Sequence, residues 1–314
     1  MKRGRGIISM ENWKDICDDF LKYLRTQKNL SEQTVLSYSS DLKHFLKYLD
    51  SMQIKEPAEV NLRVIRNYLS QLHEAGYAHS TISRRLACLR SLFRYLCQTD
   101  KIKDNPLVLV RTPKKAKRLP QFLYSTEVQC LLNNTWEKGK LGIRDHALLE
   151  LLYSSGLRIG EVVQINVGDV EFELRSLRVK GKGEKERIVP FGSFASDALQ
   201  RYMKEGRPLL SGKKKPLPTD PLFVNWRGER LTTRGAYGII TKYLKKVAPN
   251  RNLTPHSLRH TFATHLLNGG ADLRSVQELL GHSRMSSTQI YTHVTGERIK
   301  AVYEKAHPRA KEQE

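Results

Sequence analysis

The sequence predicts a mainly α protein with a small antiparallel sheet, an α+β chain in which a helical N-terminal bundle precedes a mixed domain. Three features carry that expectation. Apolar residues recur at spacings of three and four through residues 11–99. A basic stretch with three prolines, DNPLVLVRTPKKAKRLP, then breaks the pattern. Beyond it, one segment, LRVKGKGEKERIVP, alternates as strand, glycine-rich turn and strand among helical segments.

The elements follow in order. Trp13, Ile16, Phe20 and Leu24 mark a first helix. Ser31 suits the cap of a second, striped by Val35, Tyr38, Leu42, Phe45, Leu46 and Leu49. A third carries Val60, Val64, Ile65, Tyr68, Leu69 and Leu72 and stops near Gly76. A fourth starts after Ser80 and turns Ile82, Leu86, Leu89, Leu92, Phe93 and Leu96 inward. Short loops between four such helices predict a compact bundle. Arg84, Arg85, Arg90 and Arg94 lie off that stripe with no acidic residue among them. They predict either a solvated face or a surface turned to phosphates. Residues 104–124 read as an extended basic linker, so the two domains would close as a C-shaped clamp on a duplex. After it, a helix begins at Ser125, a second ends at Gly156, and others fall near 193–205, 232–247, 255–268, 272–280 and 286–292. The expected division is residues 1–103, linker 104–124 and residues 125–314.

The chain has 314 residues, with 54 Lys and Arg against 32 Asp and Glu, a formal charge of +22. So large an excess points to a polyanionic partner, nucleic acid before an acidic membrane. No apolar run is long enough for a membrane span, and the opening MKRGRGII has no apolar stretch behind it. A cytoplasmic protein is expected. Cys17, Cys88, Cys97 and Cys130 form no CxxC pair and read as buried free thiols.

Four short stretches could do chemistry. In LTPHSLRHTF, Thr254 suits an N-cap and Pro255 the first helical position, so His256 and Arg259 share the opening turn. Free N–H groups and the dipole make such a turn an anion site, and a guanidinium matches two phosphate oxygens. His256 and His260 also have metal-ligand spacing, but no carboxylate stands beside them and Arg259 would repel a cation. In YSSGLRIGE, Gly156 ends a helix, Arg158 stands at the next junction, and Glu161 can orient a neighbouring cation. Lys182 lies between two glycines at the hairpin tip, where the missing side chains allow close approach to a groove. Neither this turn nor SGKKKP is a P-loop, so no ATP chemistry is expected. In LLGHSRMSSTQIYTHV, His282 follows Gly281, and Tyr291 lies on a short helix that Ser286 or Ser287 can cap. A phenol titrates near ~10. To attack, it needs neighbouring cations or a base that takes its proton. Taken together, Arg158 and Arg259 would neutralise the non-bridging oxygens of a phosphodiester. His256 and His282 would donate hydrogen bonds or move protons, Lys182 would protonate the leaving alkoxide, and Tyr291 would be the nucleophile. No metal and no cofactor is required.

The ordered set GLRIGE, GKGEKER, HSLRH, LLGH and STQIYTHV resembles the tyrosine recombinase family, most of all its Xer site-specific recombinases. The resemblance spans nearly the whole chain, including the bundle, which would be the family's core-binding domain. It implies that Arg158, Lys182, His256, Arg259, His282 and Tyr291 form the active site, with Tyr291 linked to a DNA 3′-phosphate in a covalent intermediate. It implies strand exchange through a Holliday junction by a homo- or hetero-tetramer on double-stranded DNA recombination sites, resolving chromosome dimers. A septal DNA translocase is the expected activator. The C-terminal GERIKAVYEKAHP would dock on a neighbouring protomer through Ile299, Val302 and Tyr303. Arg284 and Met285 depart from the family's usual small or aliphatic residues. Two other readings stay open: a type IB topoisomerase-like DNA relaxing enzyme, and a DNA-binding architectural or regulatory protein without cutting activity.

Overall fold

A computed structural model describes residues 13–110, 121–133, 137–181, 186–212, 218–281 and 293–310. The chain divides into two compact units, Met1–Arg118 and Leu119–Glu314.

The first unit is helical. It comprises α1 (Trp13–Thr26), α2 (Glu32–Ser51), a 3₁₀ turn at Pro57–Glu59, α3 (Leu62–Glu74) and α4 (His79–Gln98). Asn61 caps α3, its side-chain oxygen accepting from the N–H groups of Arg63 and Val64 at 3.0 and 3.2 Å. Phe20, Phe45, Tyr68 and Phe93 meet in one core. The anticipated stripes are the buried faces, because residues three and four apart share a helix side.

The arginines of α4, expected to form either a solvated face or a surface turned to phosphates, are in part engaged within the unit. Arg85 is buried, Arg84 bonds Asp41 of α2, and Arg85 Nε lies 3.6 Å from the same carboxylate. The Arg85 guanidinium also covers the Tyr77 ring at 4.2 Å. Arg90 donates to the Val110 carbonyl. The counter-charge absent from α4 is supplied by α2, and only Arg94 of the four is exposed without a bond named here. Residues 104–110, expected to be linker, pack on this unit through buried Leu107 and Val110. Residues 111–120, the rest of that stretch apart from its last four residues, lie outside the described residues.

Near the start of the second unit lies Leu123, fully buried, whose N–H donates to Thr261 Oγ1 at 2.9 Å. Its helices are α5 (Ser125–Asn133), α6 (Lys140–Ser155), α7 (Ile159–Val162), α8 (Ser193–Arg201), α9 (Arg207–Ser211), α10 (Thr233–Val247), α11 (Pro255–Asn268), α12 (Leu273–Leu279) and α13 (His293–Ala306). A five-residue π segment, Tyr202–Gly206, joins α8 to α9, so the helix expected near 193–205 is α8 and this segment, and it continues into α9. The sheet has three antiparallel strands in the order β1 (Val170–Glu171), β2 (Ser176–Lys180), β3 (Glu186–Pro190). The hairpin β2–β3 is the one expected, and the two-residue β1 is an addition too short to carry a periodic signal. The buried α6 forms the centre, packed by α8 and α11.

Of the three residues expected to dock on a neighbouring protomer, Val302 and Tyr303 pack inside their own unit, and the Ile299 side chain lies outside the described residues. Tyr303 is buried within its own unit, its hydroxyl 2.7 Å from Ser154 Oγ, which also accepts the Gly192 N–H at 2.7 Å. Val302 packs on the cluster built by Phe262, Leu266 and Val276. Ala310 accepts from the Ser193 N–H at 3.1 Å, and Arg309 bonds buried Glu150 at 2.5 Å. Val302, Tyr303 and Ala306 of α13 thus pack inside the same chain. Among the cysteines, Cys17 and Cys88 are buried, Cys97 is half-buried and Cys130 is exposed, which corrects the uniform burial expected. Among the described residues no helix is long and apolar enough to cross a membrane.

Candidate active site

Two chain reversals build the site. The first ends α6. Gly156 takes φ +61°, and a Cβ there would stand 2.3 Å from Phe262 Cδ1, so only glycine fits the turn. The chain leaves it extended, and Arg158 becomes the cap of α7. The Glu161 carboxylate accepts the Arg158 N–H at 2.9 Å and Arg158 Nη1 at 3.1 Å. The second reversal ends α12. Gly281 takes φ +65°, and the Leu280 carbonyl before it is free to accept.

Arg259 joins these turns. It lies on the first turns of α11, buried, with Nη1 2.7 Å from the Gly156 carbonyl and Nη2 2.5 Å from the Leu280 carbonyl. Two carbonyls fix its plane while adding no negative charge. Burial, aided by the Arg158 charge, lowers its pKa to about 10. It therefore stays a cation at neutral pH, and a poorly hydrated one that an anion can approach.

His256 opens α11 three residues earlier, and its ring lies 4.9 Å from that of His260. Burial, then His260, Arg259 and Arg158, lower its pKa, so the neutral imidazole predominates at neutral pH. A neutral ring can accept a proton at one nitrogen and donate at the other. Ser257 Oγ accepts the Thr254 N–H at 3.1 Å, which secures the helix start. Arg158, His256 and Arg259 line one open cavity of about 360 Å³ with Tyr237 and Pro255. Two guanidiniums, an imidazole and a helix N-terminus therefore face a single space, as an oxyanion would require.

Three of the six expected site residues are thus placed together. Lys182, His282 and Tyr291 lie outside the described residues, as does the helix expected at 286–292. Gly281 immediately precedes His282 in sequence, and Lys182 falls between the ends of β2 and β3. Two lining or supporting residues were not singled out from sequence. Tyr237 of α10, 47% exposed, borders the cavity. Arg187 of β3 donates from Nη2 to Glu161 Oε2 at 3.0 Å. Strand alternation is the signal that would have found Arg187, because it shares a face with buried Val189 while Ile188 is 71% exposed. Burial pushes the Glu161 carboxyl up. Hydrogen bonds from Arg187 and the Arg158 backbone, with both guanidinium charges, outweigh it and hold the carboxyl below its ordinary value.

A helical unit followed by a helix-rich unit with a cationic pocket at a helix start defines a protein whose site can hold and neutralise an oxyanion such as a phosphate. The phage integrase family pattern matches residues 121–298, and that of the phage integrase N-terminal SAM-like domain matches residues 17–100. The chain belongs to the phage integrase family: it is a site-specific tyrosine recombinase. It is 51% identical over 300 residues to the tyrosine recombinase XerC of Pelotomaculum thermopropionicum, covering 94% of this chain and 98% of that protein. It is 44% identical to the XerC of Bacillus subtilis over 301 residues, 96% and 99% of the two chains. The fold is shared with a XerH site-specific recombinase bound to a palindromic difH substrate, at TM-score 0.68 and 23% identity, over 92% of this chain and 84% of that one. It is shared also with a lambda integrase dimer bound to a core site, at TM-score 0.69 and 17% identity, over 89% and 99% of the chains.

Proposed function

We propose that this recombinase cuts double-stranded DNA with Tyr291 and exchanges strands between two recombination sites through a Holliday junction. The observation that carries the proposal is the convergence of Arg158, His256 and Arg259 on one cavity. In the reaction proposed, the Tyr291 oxygen attacks the scissile phosphorus and the bond to the 5′-oxygen breaks. The phenol proton passes to His256 or to water, Lys182 protonates the departing 5′-oxygen, and the DNA 3′-phosphate stays on Tyr291. A 5′-hydroxyl from the second duplex then attacks that phosphate and releases the tyrosine. Each step breaks one phosphoester and makes another, so neither ATP nor a cofactor is consumed. Arg158 and Arg259 neutralise the equatorial oxygens as charge gathers on them, and His282 adds a hydrogen bond.

From the likeness to proteins named tyrosine recombinase XerC we further propose a wider role: a homo- or hetero-tetramer in the cytoplasm that resolves chromosome dimers, activated by a septal DNA translocase. The excess of basic residues supports extensive contact with the phosphates of the duplex.

A nicked suicide site tests the chemistry. The wild type is expected to form a slow-migrating covalent adduct on a denaturing gel, unaffected by EDTA, and Tyr291→Phe none. Arg259→Ala is expected to lower the rate of adduct formation by at least ~10²-fold while DNA binding falls far less. An adduct that survives Tyr291→Phe would refute the nucleophile. Relaxation of a one-site plasmid without exchange between two sites would favour the topoisomerase reading.

A further inference from the structure

Arg187 sits at a junction that the proposed chemistry does not use. The register pairs Val179 with Arg187 and Leu177 with Val189, so Arg187 shares the inner face of the hairpin with three apolar residues. Its side chain is 11% exposed. From there it reaches two places. Its Nη2 bonds Glu161 Oε2, the same oxygen that accepts the Arg158 N–H. Its Cζ and Nε also lie against Gly281, where a Cβ would stand 3.0 Å from both atoms. That glycine follows Leu280, whose carbonyl holds Arg259. One buried guanidinium therefore touches the partner of Arg158 and the turn that holds Arg259.

The charge balance says what this contact does. Three guanidiniums, on Arg158, Arg187 and Arg259, surround one carboxylate, that of Glu161, among the described residues. A carboxylate bonded by Arg158 alone would become its full ion-pair partner, leaving less of that charge for a phosphate. With Arg187 sharing Glu161, the carboxylate is neutralised from the inner side. The 47%-exposed Arg158 then keeps its charge for the cavity.

Resting on the reading that Arg158 neutralises the scissile phosphate, we propose that Arg187 is a positioning residue. It shares Glu161 with Arg158 and braces the Leu280–Gly281 turn, so that Arg259 stands preset and Arg158 stands preset and only partly compensated before DNA arrives. Arg187 itself does not touch the phosphate.

The test is single-turnover adduct formation on a suicide site by the full-length protein, with unfolding midpoints as controls. Arg187→Gln is expected to slow cleavage by ~10–100-fold while DNA binding changes by less than ~3-fold. Adding Glu161→Gln keeps an acceptor for the Arg158 N–H but removes the competing charge. The double variant is expected to regain at least ~10-fold of the loss. A merely structural role predicts the reverse, since a second lesion in one network would slow the enzyme further. Arg187→Lys, which retains the charge, serves should Arg187→Gln fail to fold, and is expected to lie between wild type and Arg187→Gln. If the double variant is no faster than Arg187→Gln, or Arg187→Lys is as slow as an unfolded control, the proposal is overturned. If Arg158→Ala itself cleaves at the wild-type rate, the reading of the site fails and this one with it. An Arg158→Ala defect without recovery in the double variant overturns the role of Arg187 alone.

Discussion

His307 shows how far one side chain can be driven from its ordinary chemistry. It is buried against the rings of Tyr153, Phe262 and Tyr303, with Arg309 two residues on and His265 across Tyr153. Burial lowers its pKa from 6.5 to about 3. The folded form then binds fewer protons than the unfolded chain between those values, so stability is full above about 6.5 and falls as pH drops toward 3. Each pH unit crossed in that window removes up to about 1.4 kcal/mol. The thermal midpoint of the second unit is expected to fall between pH 7 and pH 5 and to fall less in His307→Gln, by differential scanning calorimetry at each pH. Equal pH slopes in the two proteins would show that His307 is already charged when folded. Sequence gave no hint of this, because HPRA near a chain end looks like solvated polar residues. Its burial comes from α11 and the aromatic side chains that fold over it.

The helices of the bundle were legible because burying an apolar stripe leaves a spacing of three and four in the sequence. The opposite faces were not, since which charges face each other depends on neighbouring helices. Asp41 of α2 is buried between Arg84 and Arg85 of α4. Asp41→Ala would strand the buried Arg85 charge and is expected to destabilise the first unit by about 3 kcal/mol in denaturant titrations. A loss under about 0.5 kcal/mol would mean that water replaces the carboxylate. The same limit applies to α13, where Val302 and Tyr303 read from sequence as a docking surface and are packed against the residues of their own unit. Tyr303→Ala removes a buried aromatic and one of the two hydrogen bonds of Ser154 Oγ, and is expected to lower stability by about 3–5 kcal/mol. Because the contact is within one chain, that loss should not change with protein concentration. A concentration-dependent midpoint would instead favour docking on a neighbouring protomer.

At the scale of the molecule, one buried apolar cluster lies in the first unit and two in the second, among the described residues, and the family patterns fall on either side of the boundary between the units. A formal charge of +22 in a DNA recombinase makes counterion release a large part of binding. Affinity for a recombination site is expected to fall by at least ~10³-fold between 50 and 200 mM salt, read by fluorescence anisotropy. A shallow dependence would show that few basic residues meet phosphate, consistent with the internal engagement already seen for Arg84, Arg85 and Arg90.

The sequence by itself determined the helix-rich fold class, the hairpin, the family and the residue types of the site. Periodic burial, glycine-bound turns and an ordered set of motifs are all properties of the chain read in one dimension. Only the tertiary structure decided which cations remain available. Asp41 meets Arg84 and Arg85 across 43 and 44 positions, Glu161 meets Arg187 across 26, and Arg259 meets the carbonyl of Gly156 across 103. Coulomb and hydrogen-bond energies depend on distance through space, so no local pattern records which arginine is neutralised and which is left to face the cavity.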